Sequence, residues 1–170
     1  KSPRRLSEIF AVVREAGINL AGLPMTNLYL QDRDTQPGPT WRGMMPIGAA
    51  RAAGVLCAAG GDNCRDAFHP YGDYDMAEIA REAIRLGHLE QPPGAHMDLG
   101  THAPEKMMGI DDSGPLAEGS VADLVLFSGR CLSQVFALLG QGGGFAYGFS
   151  GVENNERGIL GLGRQRVRQD

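Results

Sequence analysis

The stretch VLCAAGGDNCRDAFHPYG, residues 55–72, decides how this chain is read. Residues 55–59 form a short apolar run, with the length and content of a buried strand. Two glycines follow, and then Asp62, Asn63, Cys64, Arg65 and Asp66 crowd together before Phe68 and His69. Asp62 therefore falls just past the end of a strand. An aspartate in a Gly-Gly-Asp-Asn context commonly forms a turn or caps a helix. The same carboxylate at a strand end can bind a metal or take a proton from water. Local sequence leaves both readings open. Asn63, Arg65 and Asp66 either orient a polar substrate or solvate the loop. Phe68 either walls a planar ligand or packs the loop on the sheet rim.

Outward from this stretch the pattern alternates. Leu6, Ile9, Phe10 and Val13 line one helical face, and Gly17 is a natural stop. Residues 18–23 read as a short buried strand closed by Pro24. A polar loop is expected over residues 26–43, TNLYLQDRDTQPGPTWRG, long enough to suggest function. Residues 46–53 predict a second helix, opened by Pro46 and stopped by Gly54. A third begins at Asp75, with Met76, Ile79, Ala80, Ala83 and Ile84 on its apolar face. Asp75 and Glu78 resemble a capping box. Thr101 is expected to cap a short helix over residues 104–108, and residues 121–127 read as a strand. From Gly140 onward the chain is glycine-rich without a period, and a flexible tail is expected.

Strands alternating with helices predict βαβ units and a parallel sheet. In such sheets ligands sit at the carboxyl ends of the strands. Asp62 and the loop from Thr26 then share one rim.

Composition narrows the function classes. The 170 residues are 42% hydrophobic and 21% charged, ordinary for a globular protein. A formal charge of −4 argues against non-specific nucleic-acid binding. No run approaches the ~18 apolar residues of a membrane span. Cys57, Cys64 and Cys131 have no Cys-x-x-Cys spacing, so a disulfide framework is not expected and a cytoplasmic setting is the default. His69, His88, His96 and His102 show no zinc-ligand spacing and read as surface or packing residues.

The runs AGINLAGLPMTNLYLQDR, GDNCRDAFHPYGDYDM, THAPEKMMGI and GPLAEGSVADLVLF, in that order, resemble the amidohydrolase superfamily, and bacterial cytosine deaminases within it. The resemblance covers roughly residues 5–127. It implies an α/β fold: the last strands and helices of a (β/α)8 TIM barrel, plus a strand of the accompanying β-sandwich. Residues 1–115 would be barrel units, 116–130 the return to the sandwich and 131–170 an atypical tail. Residues 18–23 and 55–59 would be the seventh and eighth barrel strands.

The resemblance also implies a hydrolase that removes an amine from a cyclic amidine or nucleobase such as cytosine. Asp62 would contact the catalytic divalent metal, Fe2+ or Zn2+, and handle the proton of the attacking hydroxide. The remaining metal ligands would precede Lys1. Asn63 and Phe68 fall at a polar substrate contact and an aromatic position over the ring. A second carboxylate and a tryptophan are expected there in cytosine deaminases, so the ring acted on is open. The expected partner is a small heterocycle, and self-association stays open. As given, the chain is expected to be inactive alone, as a portion of a longer enzyme. The rivals are a non-catalytic fragment that binds or assembles, and an amidohydrolase acting on another aminated heterocycle.

Overall fold

A computed structural model describes residues 3–34, 43–92, 94–110, 124–127, 130–131, 133–135 and 147–149. The chain divides into two units, Lys1–Ser113 and Gly114–Asp170.

The first unit is built on two parallel strands, β1 (Leu20–Gly22) and β2 (Cys57–Ala59). Leu20 pairs with Cys57, Ala21 with Ala58 and Gly22 with Ala59. Gly60 N–H extends the ladder by donating to Gly22 O at 2.9 Å. All three residues of β2 are buried. Such uniform burial is why the run is apolar without alternation.

Helix α1 (Pro3–Glu15) ends before Gly17, whose φ of +66° is left-handed. Helix α3 (Ile47–Ala52) stands within the span that Pro46 and Gly54 predict, and helix α4 (Met76–Leu86) where apolar periodicity predicts it. Ile79, Ala80, Ala83 and Ile84 of α4 are buried. A 3-10 turn (Met97–Gly100) and helix α5 (His102–Met108) follow. Strand β2 packs against α3, α4, α5 and the 3-10 turn. The core is Ile47, Ala50, Val55, Cys57, Ile79, Ala83, Leu99 and their neighbours.

Half of the capping box at α4 forms. Asp75 Oδ1 accepts from Ala77 N–H at 2.9 Å and Glu78 N–H at 3.2 Å. Glu78 does not return to the Asp75 amide. It pairs with Arg81 at 3.4 Å, while Asp75 N–H donates to Asp73 Oδ1 at 2.8 Å. The cap still satisfies two amides that would otherwise lack partners. Asp75→Ala is expected to cost about 1 kcal/mol in a denaturant titration.

Two local expectations are corrected. Residues 26–43 are not loop throughout, because helix α2 (Pro24–Leu30) occupies the start. Pro24 opens that helix instead of merely closing the strand. Proline's fixed φ and missing N–H suit a first helical turn. Thr101 stands at the α5 N-cap position, but no side-chain cap forms. Its hydroxyl donates to Met97 O at 3.4 Å instead.

In the second unit β3 (Leu124–Leu126) lies within the strand expected at 121–127. Residues 121–123 fall outside the described ones. Leu124 pairs antiparallel with Phe149, Val125 with Gly148 and Leu126 with Tyr147 of β4 (Tyr147–Phe149). The tail expectation is thus corrected at residues 147–149, where cross-strand pairing supplies the order that local sequence does not. The other residues from 140 onward lie outside the described ones.

Candidate active site

The carboxyl ends of β1 and β2 lie side by side because the strands are parallel and in register. A side chain ties the two ends together. Thr26, 0% exposed on α2, donates from its hydroxyl to Gly61 O at 2.8 Å. That bond satisfies a carbonyl just past the end of β2. Gly61 also sits beneath Ile79, whose Cδ1 is 2.9 Å from where a Cβ would stand. A larger residue here would force the end of the Ile79 side chain to shift. Thr26 was not foreseen. Nothing in its flanking sequence marks it, because its partner is 35 residues away.

Asp62 follows directly. Its φ is +57°, and its side chain is exposed. Aspartate tolerates this left-handed backbone better than most residues. Among the described residues no group hydrogen-bonds or ion-pairs with its carboxylate. The strand end therefore presents a free, solvent-facing carboxylate at the rim where ligands gather in parallel sheets.

Residues 63–72 form a closed loop centred on Asp66. Asp66 Oδ1 accepts from Phe68 N–H and His69 N–H, both at 2.8 Å. Asp66 Oδ2 accepts from Asn63 Nδ2 at 2.6 Å. Asp66 N–H donates to His69 O at 3.2 Å, and Arg65 N–H to Tyr71 O at 3.1 Å. Arg65 Nε closes the loop by donating to Gly72 O at 3.1 Å.

Asp66 is held below its ordinary value, first by the Asn63 amide and then by the His69 and Phe68 backbone amides. Each donor favours the charged carboxylate. The sign follows from linkage: a depressed folded-state carboxyl stabilises the loop above the ordinary value. That contribution is lost as pH falls through the depressed value. The Phe68 and His69 amide resonances are expected to titrate together with a midpoint below 3.8. A midpoint at or above 3.8 in an NMR titration would break this account of the loop.

His69 anchors the loop from inside, and only 4% of its surface is exposed. Its Nδ1 lies 2.9 Å from Asn63 O. A carbonyl can only accept, so Nδ1 carries the proton. The imidazole meets Tyr29 of α2 edge-on, with ring centroids 5.0 Å apart, and Tyr71 at 5.9 Å. Tyr29 and Tyr71 complete the triangle at 5.4 Å. Arg33 stacks over the other partner, its Cζ 4.1 Å from the Tyr29 ring centroid. His69 is therefore a packing histidine, as its sequence spacing predicts.

Because His69 and Tyr29 pack the loop, Phe68 does not have to. Its ring is 67% exposed, free to meet a ligand. Asp62, Asn63 and Phe68 thus share one loop at the end of β2, with only Asn63 held by a side-chain partner. The thiols stand apart from this arrangement. Cys57 is buried in β2, with its pKa raised by that burial, and Cys64 is half-buried.

Among the described residues no three His, Cys, Asp or Glu side chains gather as a metal ion would need. Asp62 can supply one carboxylate and no set of further ligand groups stands with it among the described residues, so these residues do not by themselves fit a divalent metal. Among them, too, no helix is long and apolar enough to cross a membrane.

A parallel α/β unit with its polar side chains collected past the strand ends defines a class of ligand-binding or catalytic proteins. Residues 2–137 match the Amidohydrolase family, and the chain belongs to it. The chain is 45% identical over 123 residues to pterin deaminase from Rhizobium rhizogenes. That alignment covers 72% of this chain and 28% of the relative, so the chain spans little more than a quarter of that protein.

Solved structures share the fold. 5-Methylcytosine deaminase from Klebsiella pneumoniae, liganded with 5-fluorocytosine, superposes with a TM-score of 0.70 at 20% identity. That match covers 95% of this chain and 39% of the other. N-isopropylammelide isopropylaminohydrolase from Burkholderia multivorans superposes with a TM-score of 0.62 at 23% identity. It covers 81% of this chain and 32% of the other.

Proposed function

We propose that this chain supplies the last two βα units of the barrel in a hydrolase that removes an exocyclic amine from an aminated heterocycle. The observation that carries this is the free carboxylate of Asp62 at the end of β2, in a chain of this family. A hydrolytic deamination needs one group to take a proton from water and return it to the leaving amine. Asp62 is the group proposed for both transfers. Water oxygen bonds to the carbon bearing the amine, Asp62 accepts the water proton, and the carbon–nitrogen bond breaks as that proton reaches nitrogen. Ammonia leaves, the ring carbon keeps the oxygen as a carbonyl, and the second water proton ends on the adjacent ring nitrogen, which has taken the electron pair of the ring C=N bond. A divalent metal, Fe2+ or Zn2+, would be held by ligands outside the described residues.

The substrate reading moves from cytosine toward a pterin. The 45% identity to a pterin deaminase supports a bicyclic 2-amino-4-oxo ring over a pyrimidine. The amide at Asn63 and the phenyl ring of Phe68, in place of a carboxylate and an indole, support the same shift. Phe68 would lie on the ring face, which suits any planar heterocycle. The test is ammonia release by the full-length protein containing this chain, with pterin and cytosine in parallel. Pterin is expected to be the better substrate by kcat/KM.

A further inference from the structure

Asn63 is an amide whose two ends look alike in size but opposite in chemistry. Which end meets a ligand depends on what holds the other. Here Asn63 Nδ2 lies 2.6 Å from Asp66 Oδ2. A flipped amide would bring its oxygen against the carboxylate, two acceptors with no hydrogen between them. The carboxylate therefore fixes the orientation, and the amide oxygen is left as the acceptor. Asp66 is itself fixed, since its other oxygen holds the Phe68 and His69 amides.

We propose that Asp66 is a positioning residue that presents Asn63 oxygen-first, so that the site selects heterocycles carrying an N–H donor beside the carbon that loses its amine. A 2-amino-4-oxo pyrimidine edge has such a donor, in its lactam N–H. The cytosine ring nitrogen next to the amine-bearing carbon is an acceptor instead. This rests on the function proposed above. It also explains why an amide, not a carboxylate, stands at Asn63. A carboxylate there would face Asp66 across the same short gap, and like charges that close cannot both stay ionised.

The pair can be inverted. In Asp66→Asn the new amide's oxygen can still accept from Phe68 and His69, so the loop keeps its backbone bonds. Its NH2 then faces Asn63, which must flip to answer it and offers a donor where it offered an acceptor. Asn63→Asp alone sets two carboxylates face to face. In the double variant Asn63→Asp with Asp66→Asn the hydrogen bond returns with its polarity reversed, and an acceptor oxygen faces the substrate again.

The experiment is steady-state kinetics with pterin, and pterin fluorescence titration, on the full-length protein and these three variants. Each single variant is expected to raise KM and Kd about tenfold, the loss of one oriented hydrogen bond, with kcat changed less than about threefold. The double variant is expected to return both constants to within about threefold of the unmodified protein. Unchanged binding in Asp66→Asn, or a double variant no better than the singles, overturns the proposal. A purely structural role for Asp66 would leave binding unchanged in Asp66→Asn, which keeps the loop's backbone bonds and a hydrogen bond to a flipped Asn63. The titration separates the two claims. If pterin binds with the expected pattern but no ammonia is released, the function reading fails and the positioning role stands.

Discussion

Asp62→Asn is expected to lower kcat for ammonia release by about 10²–10⁴-fold, the usual contribution of a positioned acid–base group. Asparagine is the informative replacement because of the backbone. Asp62 holds φ at +57°, which asparagine tolerates almost as well and alanine does not. The amide keeps the size of the side chain but cannot accept and return a proton at neutral pH. The exposed carboxylate makes no bond to the described residues that the change would break. The melting temperature should therefore stay within a degree or two while turnover collapses. An Asp62→Asn protein with full turnover would remove the proposed acid–base group. Loss of turnover together with loss of folding would assign Asp62 a structural role instead.

The second large effect is on stability. Leu99→Ala is expected to destabilise the fold by about 2–5 kcal/mol, read from urea unfolding. Leu99 is 0% exposed, in the 3-10 turn that packs against α4, α5 and β2. The surroundings cannot collapse into the space easily. Next to it Gly100 lies so close to α4 that a Cβ would stand 2.9 Å from Ala80 Cβ. On the other side Asp98 is clamped by Arg51 of α3, at 2.9 and 3.1 Å through two parallel bonds. With both flanks fixed, most of the removed volume stays as a cavity. A loss below about 1 kcal/mol would mean that the turn relaxes into the space, and that its packing on β2 is loose.

What was legible in the sequence was what local chemistry decides. The apolar faces of α1 and α4, the Pro46 start and Gly54 stop around α3, the Gly17 stop and the Asp75 cap each lie within a few residues of their cause. The parallel pairing of β1 and β2 is long-range, and it was legible because the alternation of strands with helices predicts it. Helix α2 was hidden because Pro24 signals both an end and a beginning, and seven residues are too few to show a period. Strand β4 was hidden in glycines, since its order comes from pairing with β3 some twenty residues earlier.

The candidate site divides the same way. Asp62 could be placed from its position after a strand. The part played by Asp66 could not, because aspartate in a polar loop has many uses. Only the geometry shows one carboxylate gripping Asn63, Phe68 and His69 at once. Thr26 and Tyr29 were out of reach for another reason. Both act on the loop from α2, through contacts that no local pattern encodes.

The central claim is that this chain belongs to a working deaminase of aminated heterocycles. The most direct measurement is ammonia release from pterin and from cytosine by the full-length protein containing it, supplied with Fe2+ or Zn2+. Turnover with pterin is expected to exceed turnover with cytosine. No ammonia from either ring, with the protein folded and metal present, would contradict the claim.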